Sequence, residues 1–480
     1  MKKLLFFLLV FSFKLTFAQF TTMFTDTVHN YGQMNGVCQD DSFYYVIGGI
    51  NNSVLKIDKQ GNIVKKRKYS YPGLYFQAYP YNSVVLENNT IVCCGQAKDT
   101  SNKVTGIVVC VDKYSLDTLW FRNYQSPDSI GAYQFSENTA IKSVPQGGYI
   151  VTGNYHNNIM GNLRSFLMKI DSVGNVEWRR VYGDVTGLFD VELTNDGGGV
   201  FLNPFGYNTI NLRKTDSFGN LDWQVPINTG MTGWSDASSI SLSQNNTIIG
   251  ARTYMYNNNI SNPLMGFNIF KVDLMTKQIL WDKTYLIYNT IECISLHQAI
   301  GVETLPNGDI IISGTANRYG HDAVILKLNS NGDSLWCKSY DYHPDNWDCQ
   351  LNDLILTDDG GFLGVGFFSD QNSGWTAWMF KTDANGVVGW ESPTSTELVA
   401  NVKVWPNPAK SFTTLEFDKP LIQSLDIKVY NTLGQMLLQR KIEKGASRIK
   451  LDLSGFAAGL YYYELQNQGQ IKGSGKFVLE

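Results

Sequence analysis

The chain has 480 residues, 17% of them charged, and a formal net charge of −4. So mild an acidity gives neither nucleic acid nor an anionic membrane an electrostatic reason to bind, and the low charge, 44 glycines and 13% aromatic content suit turns and strands better than helix bundles. The length leaves room for roughly two to four ordinary domains, or for one large repeat domain plus a small one.

The chain starts MKKLLFFLLVFSFKLTFAQF, with Lys2 and Lys3 ahead of an apolar run from Leu4 to Phe13 and small residues at Thr16 and Ala18. That order predicts a secretory signal peptide over residues 1–18, cut between Ala18 and Gln19. The run is too short to span a bilayer comfortably, and no later stretch is long and apolar enough. The mature chain is therefore expected to be exported, with no transmembrane segment. The seven cysteines (38, 93, 94, 110, 293, 337 and 349) share no repeated spacing. They suggest neither a disulfide framework nor a zinc site. The adjacent Cys93-Cys94 reads as two small buried strand residues, with a vicinal disulfide as the alternative.

A motif then recurs seven times. It holds Asp58, Gly61 and Tyr69; then Asp112, Trp120 and Tyr124; then Asp171, Gly174, Trp178 and Tyr182; then Asp216, Gly219 and Trp223. The later copies hold Asp273, Trp281 and Tyr285; Asn329, Gly332, Trp336 and Tyr340; and Asp383, Gly386 and Trp390, at steps of roughly 45 to 60 residues. Ahead of each copy lies a turn signal followed by an apolar run, such as PNGDIIISGT, and ahead of that a short apolar stretch such as Ala140 to Val144. One unit is thus strand, Asn/Asp-Gly turn, strand, variable loop, strand, Asp-x-x-Gly turn, strand, with hairpin chemistry at the turns. The third strand is apolar on both faces. In the fourth, Val176, Trp178 and Tyr182 share one face, while Glu177 and Arg179 take the other, as an outer strand would. Seven such units predict a seven-bladed β-propeller over residues 19–391, with each outer-strand Trp covering the gap to a neighbour. A solenoid of hairpins is the alternative. The segment from Thr21 to Gly32 ends in Tyr-Gly much as the outer strands end in Tyr, and it is expected to close the ring by pairing with the last blade.

Does the motif carry chemistry? A calcium loop needs six to eight oxygens, whereas each copy brings one carboxylate, Asn329 replaces it once, and copies two and five lack the glycine. A turn residue capping its own backbone explains such exchange. The spacing is similar to the sialidase Asp-box and to pyrroloquinoline-quinone-type repeats, whose motifs are structural and occur in non-enzymes too. No HExxH, G-x-S-x-G or P-loop pattern occurs, and His29, His156, His297, His321 and His343 are scattered. No catalytic residue, metal or cofactor is expected. Non-repeating loops rich in Tyr, Trp and Asn, at 154–162, 252–263 and 339–348, are the candidate surface for a glycan or protein ligand.

After a polar linker (392–400), residues 401–480 change pattern. About seven short strands separated by turn signals predict a small β-sandwich. WPNPAKSFTTLEF, IKVYNTLGQMLLQRKI, LDLSGFAAGLYYYEL and GKFVLE together resemble the type A C-terminal sorting domain of type IX secretion cargo. Pro406-Asn407-Pro408, Gly434, Gly459, Tyr461 and Lys476 carry the resemblance. It implies recognition by the type IX secretion machinery and an extracellular or surface destination on a Gram-negative bacterium; of the cargo's activity it implies nothing. The fold class read from the sequence is all-β, a seven-bladed β-propeller followed by a small Ig-like β-sandwich sorting domain. The favoured function is a non-enzymatic binding or adhesion module. The alternative is a secreted carbohydrate-active enzyme with its site in the propeller channel.

Overall fold

The computed structural model describes residues 20–24, 32–48, 52–75, 81–124, 135–157, 162–182, 188, 190–205, 209–228, 238–243, 245–255, 265–285, 296–317, 321–340, 348–370, 374–388, 402–417, 420–421, 424–431, 436–467 and 470–480. They separate into two compact units, 1–389 and 390–480, and none of them is helical.

Among the described residues of the first unit, the strands form seven antiparallel sheets in chain order, so the fold is a β-propeller. The third sheet is representative: Phe135–Ser143, Tyr149–Asn157, Asn162–Ile170 and Val176–Tyr182, inner to outer. The third strands are apolar on both faces because a sheet packs on each side. In the sixth sheet Ala323, Val324, Ile325 and Leu326 are all fully buried. Successive sheets share a core: Val92, Cys94 and Val108 of the second meet Val151, Phe166 and Met168 of the third. The row returns on itself, since Val37, Val46 and Leu55 of the first sheet pack with Leu363, Val365 and Met379 of the seventh.

The outer strand of the seventh sheet is Phe20–Phe24. It pairs antiparallel with Gly374–Lys381, matching Phe20 to Lys381 and Phe24 to Ala377. The expected closing segment therefore does close the sheet, through its first residues. Its remainder, 25–31, lies outside the described residues, as does Trp390. In the sixth sheet the position opposite Lys327 belongs to Trp336; in the seventh the matching position, opposite Lys381, belongs to Phe20.

Neighbouring sheets are also clasped at the outer strands. The Tyr182 hydroxyl donates to the Gly219 carbonyl at 2.8 Å, and the Trp178 ring lies over the same glycine so closely that a Cβ there would come within 2.5 Å of it. Trp120 and Tyr124 hold Gly174 in the same way. So do Trp281 and Tyr285 on Gly332, and Trp336 and Tyr340 on Gly386. These glycines all have positive φ. Between the first and second sheets, Tyr69 donates instead to the carbonyl of Leu116, whose φ is also positive at 56°. The fourth-to-fifth joint departs on both sides at once: Ile227 stands where the Tyr would be, and Lys277 (φ 61°) replaces the glycine under Trp223. One expected alternation is corrected. A bulge between Val176 and Trp178 turns Val176, 46% exposed, to the opposite face from Trp178 and Tyr182, and Arg179 is half-buried, its guanidinium 5.2 Å from the Phe166 ring and its apolar stem covered.

Cys93 and Cys94 are buried thiols, not a vicinal disulfide, and Cys110 and Cys349 are buried and likewise not disulfide-bonded. Cys337 is disulfide-bonded.

In the second unit a three-stranded sheet (Lys403–Trp405, Phe412–Glu416, Arg448–Asp452) and a four-stranded sheet (Met436–Ile442, Leu425–Tyr430, Gly459–Asn467, Gln470–Leu479) share one core that includes Leu415, Ile427, Leu451 and Phe477.

A fully buried Val or Leu contributes about 1.5–3 kcal/mol and a hydrogen bond about 1 kcal/mol. The inter-sheet cores therefore hold the ring, and the clasps set how one sheet sits on the next. Gly219→Ala adds both a strained φ and a clash, so it is expected to cost about 2 kcal/mol or more. Tyr182→Phe loses only the hydrogen bond, about 1 kcal/mol. Thermal unfolding of the two variants should rank them in that order; a Gly219→Ala midpoint equal to that of the native chain would refute the clasp.

Candidate functional site

Two repeat positions of the inner strands point toward the next sheet, packing against its core where they are apolar and bonding across to it at several joints where they are polar. Aligned on their following turns, the inner strands present Cys38, Val85, Lys142, Glu192, Ser241, Glu303 and Ile355 at one repeat position. Two residues earlier they present Gly36, Ser83, Ala140, Asp190, Ser239, Gly301 and Asp353.

The earlier position makes a belt. Wherever its side chain can accept, it takes a backbone N–H of the next sheet. Asp353 accepts from Val37 at 2.8 Å, Asp190 from Ile240 at 3.2 Å, Ser83 from Ile141 at 3.4 Å and Ser239 from Val302 at 3.3 Å. Asp190 also accepts the Ser239 hydroxyl, at 2.9 Å. Each aspartate takes a second backbone N–H, from Leu354 and Val191 respectively. Burial pushes the Asp353 carboxyl up to about 6, and the N–H groups of Val37 and Leu354 oppose that rise.

The later position is polar on consecutive sheets three to six and apolar on seven, one and two. Lys142 pairs with Glu192 at 2.8 Å, with side-chain exposures of 38% and 21%. Protein surrounds both, yet solvent reaches them. Burial alone would lower the Lys142 pKa, but the charges of Asp190 and Glu192 outweigh it and hold the ammonium charged. Ser241 donates to Thr304 Oγ1 at 3.0 Å. Glu303 is exposed, and no hydrogen bond or ion pair engages it among the described residues. Its enclosed position pushes it up to about 7; the charges of Glu192, Asp353 and Asp190 add to the rise, and Lys142 opposes it. No cluster of His, Cys, Asp or Glu suited to a metal occurs among the described residues.

These groups escaped the sequence reading. Their signal was a charge inside the short apolar stretch of three units, at Lys142, Glu192 and Glu303.

The recurring acidic residues lie at the outer turns, away from the axis. Asp171 Oδ1 accepts the backbone N–H of Val173 at 2.9 Å and of Asn175 at 2.8 Å. Asp58, Asp112, Asp216, Asp273, Asn329 and Asp383 cap their own turns likewise. The N–H groups of Ser115 and Thr276 hold Asp112 and Asp273 below the usual carboxylate range. Trp120, Trp178, Trp223, Trp281 and Trp336 are half-buried on the outer strands. His156 falls in the third sheet, and His297 and His321 in the sixth. His29, His343, Ala18, Gln19 and the centres of the candidate loops (158–161, 256–263 and 341–347) lie outside the described residues.

In the second unit, Asn407 Oδ1 accepts the Val478 N–H at 2.9 Å, and the Pro406 carbonyl accepts Thr413 Oγ1 at 2.9 Å. The Trp405-Pro406 and Asn407-Pro408 bonds are cis. Ala409, just beyond, donates to the Val478 carbonyl and accepts from Glu480, so this turn grips the last strand. Tyr461 is buried between Phe456 and Phe477 and donates to the Ala457 carbonyl at 2.5 Å. Gly459 pairs with Leu479, and Lys476 points outward opposite Tyr462. Gly434 lies outside the described residues.

A propeller of clasped sheets with a separate two-sheet unit gripping its own C-terminus is the plan of a cargo and its tag. Residues 403–480 match the family described as the secretion system C-terminal sorting domain. That unit is a type IX sorting tail, it implies interaction with the type IX machinery, and the chain is a secreted protein. No curated protein matches the sequence. Among solved structures, the chain is similar to the Neurospora crassa Pan2 WD40 domain (10% identity, 75% of this chain and 93% of that one, TM-score 0.45). It is also similar to a protein of unknown function from Bacteroides caccae (14%, 62% and 94%, TM-score 0.39). A third is an exo-1,5-α-L-arabinanase from a bovine ruminal metagenomic library (10%, 54% and 95%, TM-score 0.32). At that similarity none of them tells what this chain binds or cleaves.

The state of Glu303 has a measurable consequence. Its folded pKa of about 7 stands above the ordinary value of 4.5. The folded state therefore holds the proton more tightly, and stability is lost as pH rises from the ordinary value through about 7. Glu303→Gln keeps the neutral form at every pH. Its thermal midpoint should equal that of the native chain at the acidic end and exceed it increasingly up to pH 8. A pH-independent difference would show that Glu303 is ordinary.

Proposed function

We propose that this chain is a secreted seven-bladed β-propeller followed by an Ig-like sorting sandwich, and that the propeller is a non-enzymatic binding or adhesion module at the outer cell surface. One observation carries the reading: nearly every ionisable group at the two repeat positions of the inner strands already has a partner. Asp190 and Asp353 accept backbone N–H groups of the next sheet, and Lys142 and Glu192 hold each other. General acid–base chemistry needs a donor and an acceptor free to face a substrate, and among the described residues at these two positions only the Glu303 carboxyl and the Cys38 thiol lack a hydrogen-bond or ion-pair partner. Ligand recognition then falls to the non-repeating loops, whose Tyr, Trp and Asn suit a sugar ring or a peptide.

A second reading is a carbohydrate-active enzyme with its site in the channel. The raised pKa of Glu303 favours it, because a general acid works best near ambient pH. Glycan and peptide arrays probed with the secreted protein, beside a glycoside panel, separate the two. The module reading expects array binding that Glu303→Gln leaves unchanged. Glycoside turnover abolished by Glu303→Gln would replace it with the enzyme reading. The sorting role has its own check: a chain lacking residues 403–480 should collect in the periplasm, and normal release of that chain would refute it.

A further inference from the structure

The sorting unit carries a groove of about 660 Å³ lined by Phe412, Arg440, Arg448, Lys450 and Asp452, with serines at its ends. It runs along a seam between two sheet edges. Arg448–Asp452 is the last strand of the three-stranded sheet, and Met436–Ile442 is the last strand of the four-stranded one. Arg440 Nη1 donates to the Lys450 carbonyl at 3.2 Å and so ties the two edges together. The Lys450 ammonium sits 3.7 Å from the centre of the Phe412 ring. Asp452, the one acid in the lining, is occupied by the Ser454 N–H at 3.0 Å.

Charged edge strands ordinarily serve to prevent edge-to-edge pairing. Scattered charges of either sign achieve that. Here three cations converge on one concavity, and none forms an ion pair among the described residues, although Lys441 close by pairs with Glu443 at 3.4 Å. Like charges gathered in this way repel one another until an anion joins them. The open edges supply main-chain donors and acceptors for an added strand, and Phe412 supplies an apolar floor.

We infer that this groove is the surface by which the sorting tail is read, and that its occupant is an extended, acidic segment of a protein of the secretion machinery. The inference rests on the sorting role of residues 403–480. It is tested on the full chain in the producing bacterium with the triple variant Arg440→Gln/Arg448→Gln/Lys450→Gln. The released fraction is expected to fall about tenfold or more, with periplasmic accumulation and a thermal midpoint of the purified chain lowered by no more than the loss of the Arg440 hydrogen bond accounts for. Arg440→Lys/Arg448→Lys, which keeps the charge, should be released normally. Release of the triple variant at the native level, in a strain where deletion of 403–480 blocks release, overturns the groove assignment while leaving the sorting role intact. A deletion that does not block release overturns the sorting role itself. A readout that needs no variant is binding of a labelled poly-glutamate peptide to the purified native chain. It should be weakened by salt and absent for a poly-lysine peptide. No binding of poly-glutamate, or displacement by inorganic phosphate as effective as by free peptide, overturns the peptide assignment; the second result would point to an anionic glycolipid.

Discussion

The propeller depends on a small backbone constraint: the residue ending each turn between third and fourth strands has positive φ and lies under the preceding sheet's outer strand. Glycine satisfies this at most joints, leaving a flat surface for a Trp ring and a carbonyl turned toward a Tyr hydroxyl. The acidic residue three positions earlier fixes the turn that presents the glycine. The motif therefore joins two sheets, although it reads in sequence as a feature of one. At the fourth-to-fifth joint both the donor and the glycine are replaced, whereas at the first-to-second joint Tyr69 keeps its bond to the positive-φ Leu116, so the bond depends on the turn's φ rather than on glycine itself.

Because the outer strands and turns carry the ring's regularity, the inner strands are free to differ. Their earlier repeat position is still partly structural, with Asp190, Asp353, Ser83 and Ser239 stitching each sheet to the next. Two half-buried aspartates that would otherwise invite a catalytic reading are thus accounted for by main-chain partners. At the later position Lys142 with Glu192 and Ser241 with Thr304 also cross to the next sheet, Cys38, Val85 and Ile355 pack into the inter-sheet cores, and Glu303 alone among the polar members has no hydrogen-bond or ion-pair partner among the described residues.

Much of this was legible in the sequence, for reasons that differ by element. The hairpins were legible because Asp, Gly, Trp and Tyr recur at fixed spacing, and the turn reading of Asp171 followed from the exchange with Asn329. That an N-terminal segment closes the last sheet was legible, but the strand is Phe20–Phe24, with Phe24 where most other outer strands have Tyr, and its register was not legible because strand partners hundreds of residues apart leave no local pattern. Opposite Lys381, where the sixth sheet's pattern has a Trp, stands Phe20 of the closing strand. Lys142, Glu192 and Glu303 were missed because each sits singly in an apolar stretch, and only the ring brings them near one another. The half-buried Arg179 broke a period-two reading through its long apolar stem. In the sorting unit, short motifs revealed identity, whereas the basic groove arises where two edges meet that are unconnected in sequence.

The pairing of Phe20–Phe24 with Gly374–Lys381 has a kinetic meaning. The first strand to be synthesised completes the sheet whose other strands come last, so the contact of greatest sequence separation in this unit is also its lock. Loop closure must be spent before such a contact rewards the chain. The six earlier sheets can form and stack locally, but the ring stays open until residue 381 is available. The propeller's closed form is thus out of reach until all seven of its sheets have been made, whatever the state of the sorting unit that follows.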